Sequence, residues 1–82
     1  MIWAYEYQPA ARWGLLNKLL PDTAARLDAA VIRLAETGRG PLERVDPGDP
    51  NTFRLRVKGA EAHLFLDRSA GTFFVTHVYR RT

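Results

Sequence analysis

Apolar and basic residues alternate strictly in the stretch FRLRVK, residues 53–58, where every second side chain is apolar and each one between is positively charged. Successive side chains of a β-strand point to opposite faces, so this pattern predicts a strand over residues 52–58 with one apolar and one basic face. Residues 60–67 alternate again after Gly59, which permits a tight turn. Residues 72–79, TFFVTHVY, are apolar on both faces at several positions, as in a strand inside a sheet. The C-terminal part is thus predicted to be three consecutive antiparallel strands.

The N-terminal half predicts one strand and two helices. Residues 2–7 are short and rich in aromatic residues, which suits a strand. Pro9 favours the first turn of a helix, and apolar residues follow at helical spacing: Pro9, Trp13, Leu16 and Leu20. Asp22 is predicted to cap a second helix that ends at Gly38, with the inner stripe Ala24, Leu27, Val31 and Leu34. Because so little chain separates the two helices, they are predicted to form a hairpin.

Residues 38–51 contain three of the five prolines and three of the six glycines, which predicts a long loop. The order of elements is then β-α-α-β-β-β. This order predicts one α+β domain over residues 1–82, with the helical hairpin packed on one face of a small antiparallel sheet that the N-terminal strand extends.

The positive charge of this 82-residue chain lies in its C-terminal third. Residues 52–82 hold six basic and two acidic side chains, whereas residues 1–51 hold six basic and seven acidic ones, for a net charge of +3. This asymmetry indicates either an anionic partner or a solvated charged face.

The sequence has no cysteine, which excludes disulfides and thiolate metal sites. It also has no apolar run of about 20 residues and no signal-peptide pattern at its N-terminus, so we expect a cytoplasmic protein without membrane attachment. There is no glycine-rich phosphate loop, no Gly-x-Ser-x-Gly motif and no carboxylate cluster. Two histidines alone make a poor zinc site, and the sequence predicts neither a metal nor a cofactor.

Basic and titratable residues converge on the predicted sheet. By alternation, Arg54 and Arg56 share an exposed face with His63, and the last strand ends in four further polar residues, namely His77, Tyr79, Arg80 and Arg81. Guanidinium groups recognise phosphate, imidazole titrates near neutral pH, and aromatic rings stack on bases. Together these groups suit the binding and cleavage of RNA. The alternative is a surface on which the arginines pair across strands with Glu61 and Asp67.

Three stretches carry a resemblance to a known family: LLNKLLPDTAARLDAAVIRL in the predicted hairpin, and FRLRVKGAEAHLFLD and FFVTHVYRRT in the predicted strands. The last two are similar to the Tyr-Arg-Leu-Arg-Val meander and the closing Val-x-x-Arg strand of the RelE/ParE superfamily of bacterial type II toxin–antitoxin toxins. The resemblance spans nearly the whole chain. It implies a RelE-like fold and a cognate antitoxin protein as partner.

For activity, the resemblance implies a RelE-like, metal-independent endoribonuclease that cuts mRNA on the ribosome. The alternatives are a ParE-like inhibitor of DNA gyrase without enzymatic activity and an inactive homologue that only binds its antitoxin. The implied RNA phosphate-binding residues are Arg54, Arg56 and Lys58, and the implied catalytic residues are His63, His77, Tyr79 and Arg81. His63 stands where most relatives have an arginine. The chain stops at Thr82, before the segment that supplies a catalytic tyrosine in some relatives, and Tyr79 or the histidines are expected to replace that group.

Overall fold

The chain folds into five strands, which form one sheet, and two helices, which lie between the first and second strands in the sequence. The computed structural model describes residues 2–81, with β1 (Ala4–Tyr7), α1 (Pro9–Asn17), α2 (Pro21–Thr37), β2 (Leu42–Arg44), β3 (Thr52–Val57), β4 (Ala60–Asp67) and β5 (Thr72–Arg80). The strand order in the sheet is β1-β5-β4-β3-β2. Strands β2 to β5 pair antiparallel, and β1 pairs with β5 in parallel. The predicted α+β fold with an antiparallel meander extended by the N-terminal strand is confirmed.

The core lies between the helices and one face of the sheet. Leu55 of β3 and Leu64 of β4 are fully buried, as their alternation predicts. The other large, fully buried side chains come from α2 and β5: Leu27, Val31, Phe73, Val75 and Val78. Because this one face takes the apolar side chains, the opposite face of the sheet is left to polar and aromatic ones.

Helix α2 agrees with the sequence pattern except at its N-terminus. Its buried stripe includes Leu27, Val31 and Leu34, and it ends at Gly38, whose φ of 72° is the left-handed conformation that glycine adopts at low cost. The predicted capping role of Asp22 is wrong. The N-cap position is Leu20, no side chain caps the helix there, and Pro21 begins it. Asp22 lies in the first turn, where its charge is favourable to the helix dipole.

Helix α1 is present, but the apolar stripe that predicted it faces away from the core. Trp13 is 59% exposed and Leu16 is 70% exposed. The buried residues of the helix are Ala11 and Gly14. A Cβ atom on Gly14 would lie 3.1 Å from the carbonyl oxygen of Val78, so α1 packs against β5 at a distance that only a small residue permits. The hydrophobic spacing therefore predicted the helix and not its buried side.

The predicted loop over residues 38–51 contains a strand. Residues of β2 pair with β3, with Leu42 aligned with Leu55 and Glu43 with Arg54. The three residues of β2 lie among many prolines and glycines and are too few to show an alternating pattern. Strand β2 is defined by its hydrogen bonds to β3. No helix within residues 2–81 has the length and apolar character needed to span a membrane.

Candidate functional site

The sheet face opposite the helices carries the candidate residues in two rows. Aligned residues on neighbouring strands project from the same face. The first row consists of Arg54, His63 and His77, and the second of Arg56, Glu61 and Tyr79. The prediction that Arg54 and Arg56 share a face with His63 is confirmed. This surface, which we call the open face, brings together side chains from β3, β4 and β5.

A bulge at Thr76 turns the end of β5 toward the open face. Thr76 lies between Val75 and His77 and has no aligned partner on β4. Since Val75 is buried, strict alternation would place His77 and Tyr79 on the buried side as well. The extra residue shifts the alternation by one position, so that Val78 is buried while His77 and Tyr79 are exposed. The bulge thus adds two titratable side chains to the open face.

Three rings form a cluster at the centre of the open face. The ring centroids of His63 and Tyr79 are 4.9 Å apart, those of His77 and Tyr79 6.0 Å, and those of the two histidines 6.3 Å. A group bound at this cluster would therefore be within reach of all three rings. No group of three or more metal-ligating side chains occurs within residues 2–81, and two imidazoles with a phenol do not make a metal centre.

Glu61 connects this cluster to the surrounding cations. Its Oε2 atom lies 3.2 Å from Nε2 of His63, and its Oε1 atom lies 3.7 Å from Nε of Arg56 and 3.6 Å from Nε of Arg81. The Glu61 side chain is only 15% exposed. One carboxylate therefore holds groups from β3, from β4 and from the end of β5, and it does so at low exposure, where charge interactions are less screened.

Hydrogen bonds fix which nitrogen of each imidazole is available. An ionised carboxylate only accepts hydrogen bonds, so Nε2 of His63 donates to Glu61 and Nδ1 is the free acceptor of the neutral ring. The Thr76 hydroxyl donates to the carbonyl oxygen of His63 at 3.2 Å and has no second proton to give. Nδ1 of His77, 3.2 Å from the same hydroxyl, is then its donor, and Nε2 of His77 is left to face a ligand.

The three predicted phosphate-binding residues differ in their partners. Arg56 donates to Glu43 at 3.0 Å in addition to its contact with Glu61. Arg54 forms no ion pair within the part of the chain described here. The buried Nε atoms of Arg54 and Arg56 both lack a hydrogen-bond partner there, so the two arginines differ in their ion pairs. Lys58 is exposed in the turn after β3, where its carbonyl oxygen accepts from Arg26. Of the two arginines, Arg54 is thus the one whose guanidinium group forms no ion pair within residues 2–81.

The alternative, in which Arg54 and Arg56 pair across strands with Glu61 and Asp67, holds only for the contact of Arg56 with Glu61. Asp67 instead accepts from the Ser69 hydroxyl at 2.8 Å and from the amide of Ala70 at 3.2 Å. These hydrogen bonds lower the pKa of Asp67, the Ser69 hydroxyl most of all.

A shallow depression of about 380 Å³ lies in the open face. It is lined by Arg54, Glu61, His63, Tyr79, Arg80 and Arg81. Four of the predicted site residues thus meet around one depression, whereas Arg56, Lys58 and His77 lie outside its lining. The depression offers Arg54 and Arg81 to an anionic group, and the acceptor Nδ1 of His63 to a hydroxyl group of the same ligand.

Sequence reasoning missed two parts of this region. Lys18, at the end of α1, places its Nζ atom 5.5 Å from the ring centroid of Tyr79, a distance at which a cation is attracted to an aromatic face. No pattern on α1 signals this contact, which depends on how closely Gly14 lets the helix approach. Phe74 is the second: it lies on the open face beside Phe65, which the alternation of β4 does place on the same face as His63.

The structure is similar to solved structures of RelE toxins. It matches a chain of the RelBE2 toxin–antitoxin complex of Mycobacterium tuberculosis with a TM-score of 0.83 and 18% identity, covering 99% of this chain and 100% of that one. It matches the isolated E. coli RelE toxin with a TM-score of 0.80 and 13% identity, covering 98% and 85%. The archaeal RelE–RelB complex of Pyrococcus horikoshii OT3 gives 0.80 and 12%, covering 99% and 97%. By sequence, no family model and no curated protein matches. The chain therefore has the RelE toxin fold.

Proposed function

We propose that this protein is the toxin of a type II toxin–antitoxin pair and acts as a metal-independent endoribonuclease on mRNA. The fold supports the first part, because structures of a RelE toxin and of RelE-type toxin–antitoxin complexes match nearly the whole chain. The observation that carries the second part is the open face, where two imidazoles and a phenol lie within 6.3 Å of one another beside Arg54 and Arg81. These are the groups that phosphodiester cleavage without a metal requires.

The reaction uses the 2′-hydroxyl group of the RNA as nucleophile. Its oxygen attacks the adjacent phosphorus while Nδ1 of His63 takes its proton, since Nε2 is bound to Glu61. The bond from phosphorus to the 5′-oxygen breaks, and the leaving oxygen receives a proton from the Tyr79 hydroxyl, or from Nε2 of His77 when that ring carries a proton on both nitrogens. The products are a 2′,3′-cyclic phosphate and a 5′-hydroxyl end. Proton transfer of this kind contributes typically about 10²–10⁴-fold to the rate.

The arginines stabilise the negative charge that develops on the phosphate oxygens. Arg54 has a free guanidinium group for this role, and Arg81 lines the same depression while its Nε atom stays 3.6 Å from Glu61. Arg56 is held by two carboxylates and acts at longer range. Lys58 lies further out and attracts the RNA backbone through its charge.

The proposed partners are mRNA, the ribosome on which it is read, and an antitoxin protein that holds the toxin inactive. The proposal therefore places the protein in the cytoplasm, where translation occurs. A depression as open as this one contacts few nucleotides of free RNA, so the ribosome is proposed to position the substrate.

The test is cleavage of mRNA on programmed ribosomes by the purified protein. We expect cuts within the ribosome-bound codon and ends that carry 2′,3′-cyclic phosphate. The matched control is the Arg54→Ala, Arg81→Ala double variant, which keeps the rings. Absence of cleavage together with inhibition of DNA supercoiling by gyrase would contradict the ribonuclease and favour the gyrase inhibitor.

A further inference from the structure

Two phenylalanines continue the open face beyond its basic end. Phe65 lies two residues after His63 on β4, and Phe74 is aligned with Phe65 on β5. Phe65 is 43% exposed and Phe74 is half-buried. Both rings lie on the side of the sheet away from the helices, so the apolar core does not account for them.

The charge around the two rings differs from that at the other end of the open face. Their aligned neighbours are Thr52 on β3 and Glu6 on β1, and neither is basic. The Thr52 hydroxyl is already bound to Asp49 at 2.6 Å. A phosphate group at this row would have no cation beside it and would be repelled by the carboxylate of Glu6. An uncharged flat ring could instead contact the aromatic side chains.

The spacing along β4 fits one nucleotide. Residues two apart on a strand are separated by about 7 Å, which is close to the length of one nucleotide in an extended single strand. A strand whose phosphate lies at Arg54 and His63 therefore brings the base of a neighbouring nucleotide over Phe65.

The available area favours a base over a protein partner. The exposed parts of two partly buried rings amount to on the order of 100 Å². A stable protein interface needs about 800 Å² per partner, whereas one stacked base needs only a platform the size of a ring. Stacking also tolerates any base, because every base has a π-face.

We propose that Phe65 and Phe74 form a base-stacking subsite for the nucleotide next to the phosphate held at Arg54 and His63. This inference rests on the proposed function, because it requires single-stranded RNA on the open face. Phe65 supplies the accessible ring, and Phe74 lies at the aligned position on the neighbouring strand.

The experiment measures binding of a short single-stranded RNA that carries 2′-O-methyl groups throughout and cannot be cleaved. The variants are Phe65→Ala, Phe65→Leu, which keeps apolar bulk without a ring, and Phe65→Tyr, which keeps the ring. Leu16→Ala is the matched control, because Leu16 is 70% exposed on α1, away from the open face. Arg54→Ala reports the phosphate contact. Thermal melting identifies any variant that does not fold, and if Phe65→Ala fails to fold, the Leu and Tyr variants decide.

We expect Phe65→Ala and Phe65→Leu to weaken binding by about 5- to 150-fold, the range for loss of one stacked base, and Phe65→Tyr to bind like the parent. The slope of log affinity against log salt should stay unchanged in these variants and flatten in Arg54→Ala. If Phe65→Leu binds as tightly as the parent while Arg54→Ala is weakened, the rings do not stack on a base and serve a protein partner instead, with the proposed function left standing. If the parent itself does not bind the RNA, the subsite falls, whereas the proposed function is decided separately by cleavage of mRNA on programmed ribosomes.

Discussion

Nε2 of His63 lies 3.2 Å from Oε2 of Glu61, the residue two positions earlier on the same strand. The same carboxylate group contacts Arg56 and Arg81, so it holds the imidazole and two cations at once. In the proposed reaction this arrangement gives Glu61 a positioning role, in which it fixes Nε2 of His63 and leaves Nδ1 as the acceptor, while Arg81 stays 3.6 Å from its Oε1 atom. The Glu61 carboxylate also places a negative charge near the proposed phosphate site. This charge should weaken RNA binding, whereas the contact with His63 should assist turnover.

Replacing Glu61 by Gln should therefore improve RNA binding and impair turnover. Loss of the negative charge should tighten RNA binding and lower KM, whereas loss of the fixed imidazole should lower kcat by at least about tenfold, or about 1.4 kcal/mol of transition-state stabilisation. The ring ¹⁵N chemical shifts of His63 should show that Nε2 is no longer the dominant protonated nitrogen. Glu43→Gln is the control, because Glu43 contacts Arg56 and not His63. Equal changes in both variants would contradict a specific role for Glu61.

His63→Ala should lower the rate of cleavage on the ribosome by at least about 10²-fold, the lower end for loss of a general base. His63→Arg, which introduces the residue that resembling toxins have at this position, should keep RNA binding and change the dependence of the rate on pH. Rates measured under single-turnover conditions separate this effect from product release. If the His63→Ala variant cuts at the parental rate, His63 is not the general base, and proton transfer rests on His77 and Tyr79.

The alternation of β3 and β4 was enough to predict one half of the open face. Arg54, Arg56 and His63 share that face because β3 and β4 have no bulge between them, and the buried residues Leu55, Ala62 and Leu64 lie on the opposite face. The other half could not be predicted, because the bulge at Thr76 reverses the alternation of β5. A bulge has no fixed residue signature here, and only the pairing with β4 shows where the extra residue lies.

The helices illustrate a second limit of hydrophobic patterning. Helix α2 has a buried stripe of large residues, and both the helix and its inner side follow from the pattern. In α1 the close contact between Gly14 and Val78 requires small buried residues, which leaves the larger Trp13 and Leu16 outside. Apolar spacing therefore indicated the wrong side of α1. Strand β2 was missed because it is made by its partner strand and not by its own composition.

The stability of the protein should fall at alkaline pH through Tyr7. Burial, together with a hydrogen bond of 2.8 Å from its hydroxyl group to Asp28, raises the pKa of Tyr7 above its usual range. Below a pH of about 10 the phenol is protonated in both the folded and the unfolded chain, and the full stabilisation is present. Above that pH the unfolded chain loses the proton first, so the free energy of unfolding decreases as pH rises. Urea unfolding between pH 7 and 11 should show this decrease in the parent and a smaller one in Tyr7→Phe. Parallel curves would contradict the assignment.

Arg54 and Arg56 should differ in their contributions to RNA binding, although their positions in the strand pattern are equivalent. Arg56 is held by Glu43 at 3.0 Å and by Glu61 at 3.7 Å, so its charge is largely neutralised before RNA arrives. Arg54 has no ion-pair partner within residues 2–81, and this is the difference between the two arginines, because the buried Nε atoms of both lack a hydrogen-bond partner there. Arg54→Ala should therefore weaken binding of single-stranded RNA more than Arg56→Ala does. It should also lower the slope of log affinity against log salt by roughly 0.7, the value for one lost phosphate contact on a single strand, while Arg56→Ala changes the slope less. Binding isotherms at four or more salt concentrations measure both quantities. Equal slopes for the two variants would mean that phosphate displaces Glu43 and Glu61 from Arg56, and that the ion pairs seen in the free protein do not decide which arginine binds RNA.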